Sequence, residues 1–126
     1  MKLDMDLLRT ILLKIEESPA FSKVNAPMQP VSALTLGIGG HDEDAVTYHC
    51  AQLVDGGYLT GNTKMAAHGM VMVGHMTLRG HEFLDAVRDP DIWSKTKQRT
   101  AGIATVGLGF LWEIAKSEIK LKLGLP

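Results

Sequence analysis

Cys50 is the only cysteine in the 126 residues, which excludes an intramolecular disulfide and leaves nothing that asks for an oxidising compartment. A surplus of charge is also missing: 13 Lys and Arg stand against 14 Asp and Glu, a net charge of -1. The chain as a whole therefore has no attraction for phosphate, and any nucleic-acid site must be a local basic patch. No stretch approaches the run of about 18 apolar residues that reads as a membrane-spanning helix. The opening MKLDMDLLRT sets acids among its apolar residues, unlike a signal peptide, so a cytoplasmic protein with no membrane partner is expected. All five histidines fall between His41 and His81, yet no HxxxH, HExxH or CxxC spacing occurs, and metal-ligand chemistry has no frame. GIGGHDED at 37–44 lacks the Gly-Lys-Ser/Thr ending of a phosphate loop and presents acids where phosphate would sit. No cofactor is expected.

What is present is an ordinary globular composition, 45% hydrophobic and 21% charged, long enough for one domain with a modest core. Met5–Glu17 has the spacing of a helix: at about 100° per residue, Leu7, Ile11 and Ile15 share a face that Leu8, Leu12 and Met5 extend. Asp4 is its expected cap, and Ser18-Pro19 its stop. Residues 20–40, with prolines at 27 and 30, read as loop. Within them Val31, Ala33, Leu34 and Leu36 can form a short strand or a reduced helix, and a strand is the preferred reading. A helix over 42–55 follows, capped by His41 or Asp42. It buries Val46, Cys50, Leu53 and Val54 and ends at Gly56-Gly57, one of them left-handed.

Tyr58-Leu59 begins a strand, Gly61-Asn62-Thr63-Lys64 has turn chemistry, and residues 70–76 return as the second strand. Thr77 caps a helix reaching Arg88, Asp89-Pro90-Asp91 breaks the chain, and a short helix is expected over 92–99. The last helix, over 104–123, shows only a narrow polar strip of Glu113, Lys116 and Lys120. An apolar arc that wide exceeds what one small core covers. It is therefore assigned either to a wedge between helices or to an oligomer interface.

With helix, Gly-Gly turn, two strands and a Thr-capped helix in order, the chain resembles a winged-helix protein. Three segments narrow the resemblance: MDLLRTILLKIEE, VTYHCAQLVDGGYL and MTLRGHEFLDAVRDPDIWSKTK. Together they resemble a family of small proteins, domain of unknown function 2513, frequent in bacterial phages and prophages. The most specific piece is Gly80-His81-Glu82-Phe83-Leu84-Asp85 followed by Trp93, and the tail from Trp112 to Leu125 is also similar. The resemblance implies a phage-linked setting and a winged-helix-like fold, with no catalytic site to carry over. The expected architecture is α+β: a winged-helix-like core of three helices and a small antiparallel wing over 1–89, with a C-terminal helical extension over 90–126, in one domain.

Shape and chemistry then point in different directions. Bases are read mostly by Arg, Lys, Asn and Gln from a helix in the major groove. The helix over 42–55 offers Gln52, Thr47, Tyr48 and His49, carries no Lys or Arg, and leads with acids at 42, 43 and 44. Positive charge lies elsewhere, at Lys64, Arg79, Lys95, Lys97 and Arg99. The expected function is a phage or prophage accessory protein that uses a winged-helix scaffold to bind another protein; the alternative is a transcriptional regulator on double-stranded DNA. The candidate partner- or DNA-binding residues are Tyr48, Gln52, Lys64, Arg79, Lys95, Lys97 and Arg99. A homodimer is expected through Phe110, Leu111, Trp112, Ile114 and Ile119. Enzymatic chemistry is a distant third: Asp85 can orient His81 on one helix face, but no nucleophile is placed beside them. Met65, Met70, Met72 and Met76 gather around the wing, and the run 70–73 is apolar on both faces, so a cover for one side is expected.

Overall fold

A computed structural model describes residues 1–23, 25–103 and 107–126. These divide into two compact units, Met1–His81 and Glu82–Pro126.

The first unit opens with helix α1, Met5–Glu17. Asp4 caps it by accepting the Leu7 N–H at 3.1 Å. Leu7, Leu8, Ile11, Leu12 and Ile15 are all buried on one face, each such aliphatic side chain contributing roughly 1.5–3 kcal/mol of burial. The helix stops at Ser18, whose backbone is extended (φ -87°, ψ 123°), as the residue before a proline prefers. A single 3-10 turn at Pro19–Phe21 then turns Phe21 inward.

Strand β1, Gln29–Val31, places Pro30 on an edge strand, where the missing N–H leaves no gap in a ladder. The preferred strand reading of 31–36 is corrected beyond Val31, because Ala33–Leu36 is a short helix, α2. Its cause is local. Ser32 accepts the Thr35 N–H at 3.1 Å while the Thr35 hydroxyl accepts the Ser32 N–H at 2.9 Å, a reciprocal cap that rewards one helical turn.

Helix α3, Glu43–Asp55, is capped by Asp42, which accepts the Ala45 N–H at 2.7 Å. The Glu43 carboxylate reaches back to accept the Ala33 N–H at 3.0 Å, joining the starts of α2 and α3. Val46, Cys50 and Leu53 are fully buried, while Val54, expected with them, is only half-buried. Burial pushes the Cys50 thiol up to about 12, so it is protonated and unreactive at neutral pH. At the other end Gly57 takes φ 83°. That left-handed step lets the Tyr58 N–H reach the Leu53 carbonyl at 2.9 Å and the Gly57 N–H reach Val54 at 3.1 Å, closing the helix's open carbonyls.

Strands β2, Leu59–Asn62, and β3, Val71–Met76, complete an antiparallel sheet ordered β1-β3-β2. Gly61 and Asn62, expected in a turn, are paired with Val73 and Met72. The register slips between Leu59 and Gly61. Along β3 the buried positions accordingly shift phase, from Val71 and Val73 to Met76, as one extra residue in a bulge requires. Thr60 repairs the ladder there: its hydroxyl accepts the His75 N–H at 3.0 Å and donates to the His75 carbonyl at 3.3 Å.

Helix α4, Leu78–Val87, begins at Thr77, whose hydroxyl accepts the Gly80 N–H at 3.1 Å. The second unit holds its later residues together with α5, Pro90–Thr100, and α6, Leu108–Lys122. The expected break at 89–91 is instead the start of α5. Asp89 accepts the Asp91 and Ile92 N–H groups at 2.8 and 3.2 Å, with Pro90 in the first turn. Those two bonds, with Lys122 nearby, hold the Asp89 carboxyl below its usual range. Ile92, Trp93 and Thr96 of α5 and Leu111 and Ala115 of α6 are buried. Arg99 pairs with Glu118 at 3.1 Å between the same two helices, and Trp112 meets Phe83 edge-on at 6.4 Å. Of the helix expected over 104–123, residues 104–106 lie outside the described residues; Gly107 caps the described helix, which starts at Leu108.

Candidate interaction face on α3

The exposed side of α3 and the β2–β3 connection, residues 63–70, form the most distinctive surface of the first unit. The connection is tied down rather than extended. Its start is fixed by the Thr63 hydroxyl donating to Asp55 at 3.1 Å and by the Lys64 N–H donating to the Asn62 side chain at 2.8 Å. A 3-10 turn at Ala66–His68 follows, with the His68 N–H on the Met65 carbonyl at 2.9 Å, and Gly69 leaves it at φ 80°.

Between this turn and α3 lies a cavity of about 250 Å³. Asp44, Thr47, Tyr48 and Ala51 line it from α3, and Ala66, Ala67 and Gly69 from the connection. Asp44 is exposed and Tyr48 half-buried, and Tyr48 also stands edge-on to the His49 ring at 5.7 Å. Around the cavity the connection exposes Met65 (49%) and Met70 (44%). Met72 is half-buried, and Val71 and Val73 on either side of it are buried.

Four residues expected to face a partner from α3 divide evenly. Gln52 is exposed and Tyr48 half-exposed, both available. Thr47 and His49 are buried, at 6% and 2% exposure, so neither reaches a base edge. His49 is spent inside the fold. Its Nε2 accepts the Asp4 N–H at 2.8 Å, which fixes the proton on Nδ1, and Nδ1–H donates to the Ala45 carbonyl at 2.7 Å.

The basic candidates are differently placed. Lys64 is exposed at the start of the connection. Arg79 lies over the Tyr58 ring, 4.8 Å from its centre, and donates to the Tyr58 hydroxyl at 3.3 Å. In the second unit Lys95 pairs with Asp91 at 3.2 Å, Lys97 stands 5.7 Å from the Trp93 ring centre, and Arg99 is held by Glu118 and Ser117. All three therefore already have internal contacts that phosphate would have to displace.

Of the expected dimer residues, Phe110 is 53% exposed and Trp112, Ile114 and Ile119 are half-buried, but Leu111 is 2% exposed and belongs to the core. Leu121, Leu123 and Leu125 extend the exposed apolar surface. His75 and His81 line a second cavity of about 250 Å³ with Glu16. Nδ1 of His75 is engaged by the Met76 carbonyl at 3.0 Å. Among the described residues no group of three or more His, Cys, Asp or Glu is placed to hold a metal. Asp85 is paired with Arg88 at 2.7 Å. Also among the described residues, no helix is long and apolar enough to cross a membrane.

Sequence reasoning missed Ala66, Ala67 and Gly69 as part of the α3 surface. Their only signal was a pair of small residues ahead of a glycine in a connection between strands.

The profile of the family described as Hypothetical protein (DUF2513) matches residues 2–107, so the match ends before α6. A protein of Haemophilus influenzae described as uncharacterized is 31% identical over 98 residues, 77% of this chain and 76% of its own length. No solved structure matches the chain.

Proposed function

The chain belongs to the family described as Hypothetical protein (DUF2513), and we propose that it is a winged-helix scaffold whose α3 face binds another protein rather than duplex DNA. The order α1-β1-α2-α3-β2-β3 with strands arranged β1-β3-β2 supports the winged-helix reading, the 63–70 connection being the wing. In such a fold α2 and α3 are the helix-turn-helix pair that would meet DNA.

One observation carries the choice of partner. No Lys or Arg occurs between Lys23 and Lys64, while Asp42, Glu43, Asp44 and Asp55 mark the two ends of α3. DNA affinity comes largely from phosphate contacts, and at close range each carboxylate opposes a phosphate by about 1 kcal/mol even in water. A protein partner carries no such penalty. In the phage or prophage setting that the family resemblance implies, this is an accessory protein acting on a host or phage protein.

The test is binding to mixed duplex DNA across a salt series. The expected result is no binding tighter than about 10⁻⁴ M at physiological salt, the weak edge of ordinary non-specific association. Tighter binding that falls steeply with salt, and that loses slope when Lys64 and Arg79 are changed to Ala, would replace this function with that of a regulator.

Self-association through α6 is part of the same proposal, supported by the exposure of Phe110 (53%), Leu121 (66%) and Leu123 (67%). Light scattering is expected to give twice the chain mass of 13.7 kDa, with Phe110→Glu returning the monomer. A monomeric parent protein at tens of micromolar would remove the dimer.

A further inference from the structure

We infer that the cavity between α3 and the 63–70 connection receives a basic side chain, lysine or arginine, from the partner protein. The inference rests on the protein-binding function proposed above and names the chemistry of what binds. The lining has two parts. Ala66, Ala67 and Gly69 from the connection, and Ala51 from α3, are small residues with no polar side-chain atom, suited to the aliphatic stem of a long basic residue. Asp44, Thr47 and Tyr48, on α3 with Ala51, complete the lining and bring a carboxylate, an aromatic ring and hydroxyls. Among the described residues neither the Asp44 carboxylate nor the Tyr48 hydroxyl is engaged by another side chain.

A lysine or arginine head entering here meets an acid to pair with, a hydroxyl to bond and an aromatic face that attracts cations. The surroundings favour the same sign. Asp42 and Glu43 precede Asp44, no Lys or Arg lies on α3, and Lys64 at the start of the connection is not in the lining. An acidic guest would be repelled by these carboxylates. An apolar guest would strip water from Asp44 and give nothing in return. The exposed Met65 and Met70 flank the connection and can adapt to whatever surrounds the anchor residue.

The experiment uses the full chain, isotope-labelled for amide NMR, titrated with blocked tripeptides Ala-Xaa-Ala in which Xaa is Arg, Lys, Leu or Glu. The Arg and Lys peptides are expected to give saturable shifts centred on residues 44–51 and 66–69, with the Leu and Glu peptides at least fivefold weaker. Asp44→Asn and Tyr48→Ala should each weaken the Arg peptide by fivefold or more, and their undisturbed spectra elsewhere would establish that the fold is intact. No saturable shift from either basic peptide would overturn the inference, as would an unchanged response in Asp44→Asn. If the Leu peptide alone titrates these residues, the assignment of charge fails while the protein-binding function stands. If duplex DNA titrates them and no peptide does, both fail.

Discussion

Gly80→Ala is expected to cost about 3 kcal/mol of stability, at the upper end of what overpacking does and a large share of the roughly 5–15 kcal/mol that holds a domain of this size together. In an exposed helix the same change would stabilise by about 1 kcal/mol, because alanine loses less backbone entropy than glycine. The sign reverses here because there is no room. A Cβ on Gly80 would run into the Tyr58 carbonyl oxygen and lie 2.6 Å from Cγ of Met76. The methionine can move, but the carbonyl cannot. It accepts the Thr77 N–H at 3.1 Å, and its own residue is held by the Tyr58 N–H on Leu53 at 2.9 Å. Thr77 in turn donates its hydroxyl to the Gly57 carbonyl while capping Gly80 itself. Moving α4 away from Tyr58 would break this set of bonds together. Gly109 on α6 is the control: nothing lies within 4 Å of its Cβ position, so Gly109→Ala should be neutral or gain up to about 1 kcal/mol. Urea midpoints of the two variants test the contrast. A Gly80→Ala midpoint at or above the parent's would mean that α4 shifts freely on Tyr58.

Gly80 also marks the limit of what the sequence reveals. Its neighbours, Tyr58 and Met76, come from other elements, and no pattern within α4 announces them. Features governed by adjacent residues were legible. Asp4 and Thr77 cap the helices they were expected to cap, and of the two candidates His41 and Asp42 it is Asp42 that caps α3, while Gly56-Gly57 closes α3 because a left-handed glycine is the ordinary end of a helix. Errors came where two local signals competed. Asp89-Pro90 reads equally as a break and as the cap and first position of a helix, and the structure uses it as the latter. At Ser32, a capping box of only four residues outweighed the strand propensity read from Val31 onwards.

The polar face of α3 was legible from its period, but its true width was not. Thr47 and His49 sit at positions that a hydropathy pattern counts as polar, yet both are buried. Ala66, Ala67 and Gly69 lie against Thr47, and the start of α1 against His49, and such cover belongs to tertiary structure. The site inferred here therefore joins residues the sequence identified, Asp44 and Tyr48, to a wall it did not.

His49 is where the second large effect is expected, and there the burial of a polar side chain is the reason. The ring is the only described side chain that bonds the backbone N–H of Asp4, a group that the cap of α1 cannot satisfy itself because the Asp4 carboxylate is turned to Leu7. In a capping box that N–H is met by a side chain three residues on; here it is met by a histidine 45 residues away, on α3. Thus one imidazole closes the N-terminus of α1 and fixes it to α3, with the second nitrogen used on Ala45. His49→Ala should cost about 2–4 kcal/mol, combining an unpaired N–H with the cavity left by a 2% exposed ring.

Two further variants separate those contributions. His49→Leu fills most of the volume but offers no acceptor, and should retain about 1–3 kcal/mol of the loss as the cost of the unpaired N–H. His49→Gln offers a carbonyl oxygen and should recover part of it. Amide exchange supplies an independent readout, since Asp4 and Leu7 should lose protection in the Ala and Leu variants even under conditions where both remain folded. A Leu variant as stable as the parent, with Asp4 still protected, would mean that packing alone holds α1 to α3. The opposite result would place the α3 interaction face on a helix whose position is fixed by one hydrogen-bonded ring on its inner side, one residue along the chain from Tyr48 on its outer side.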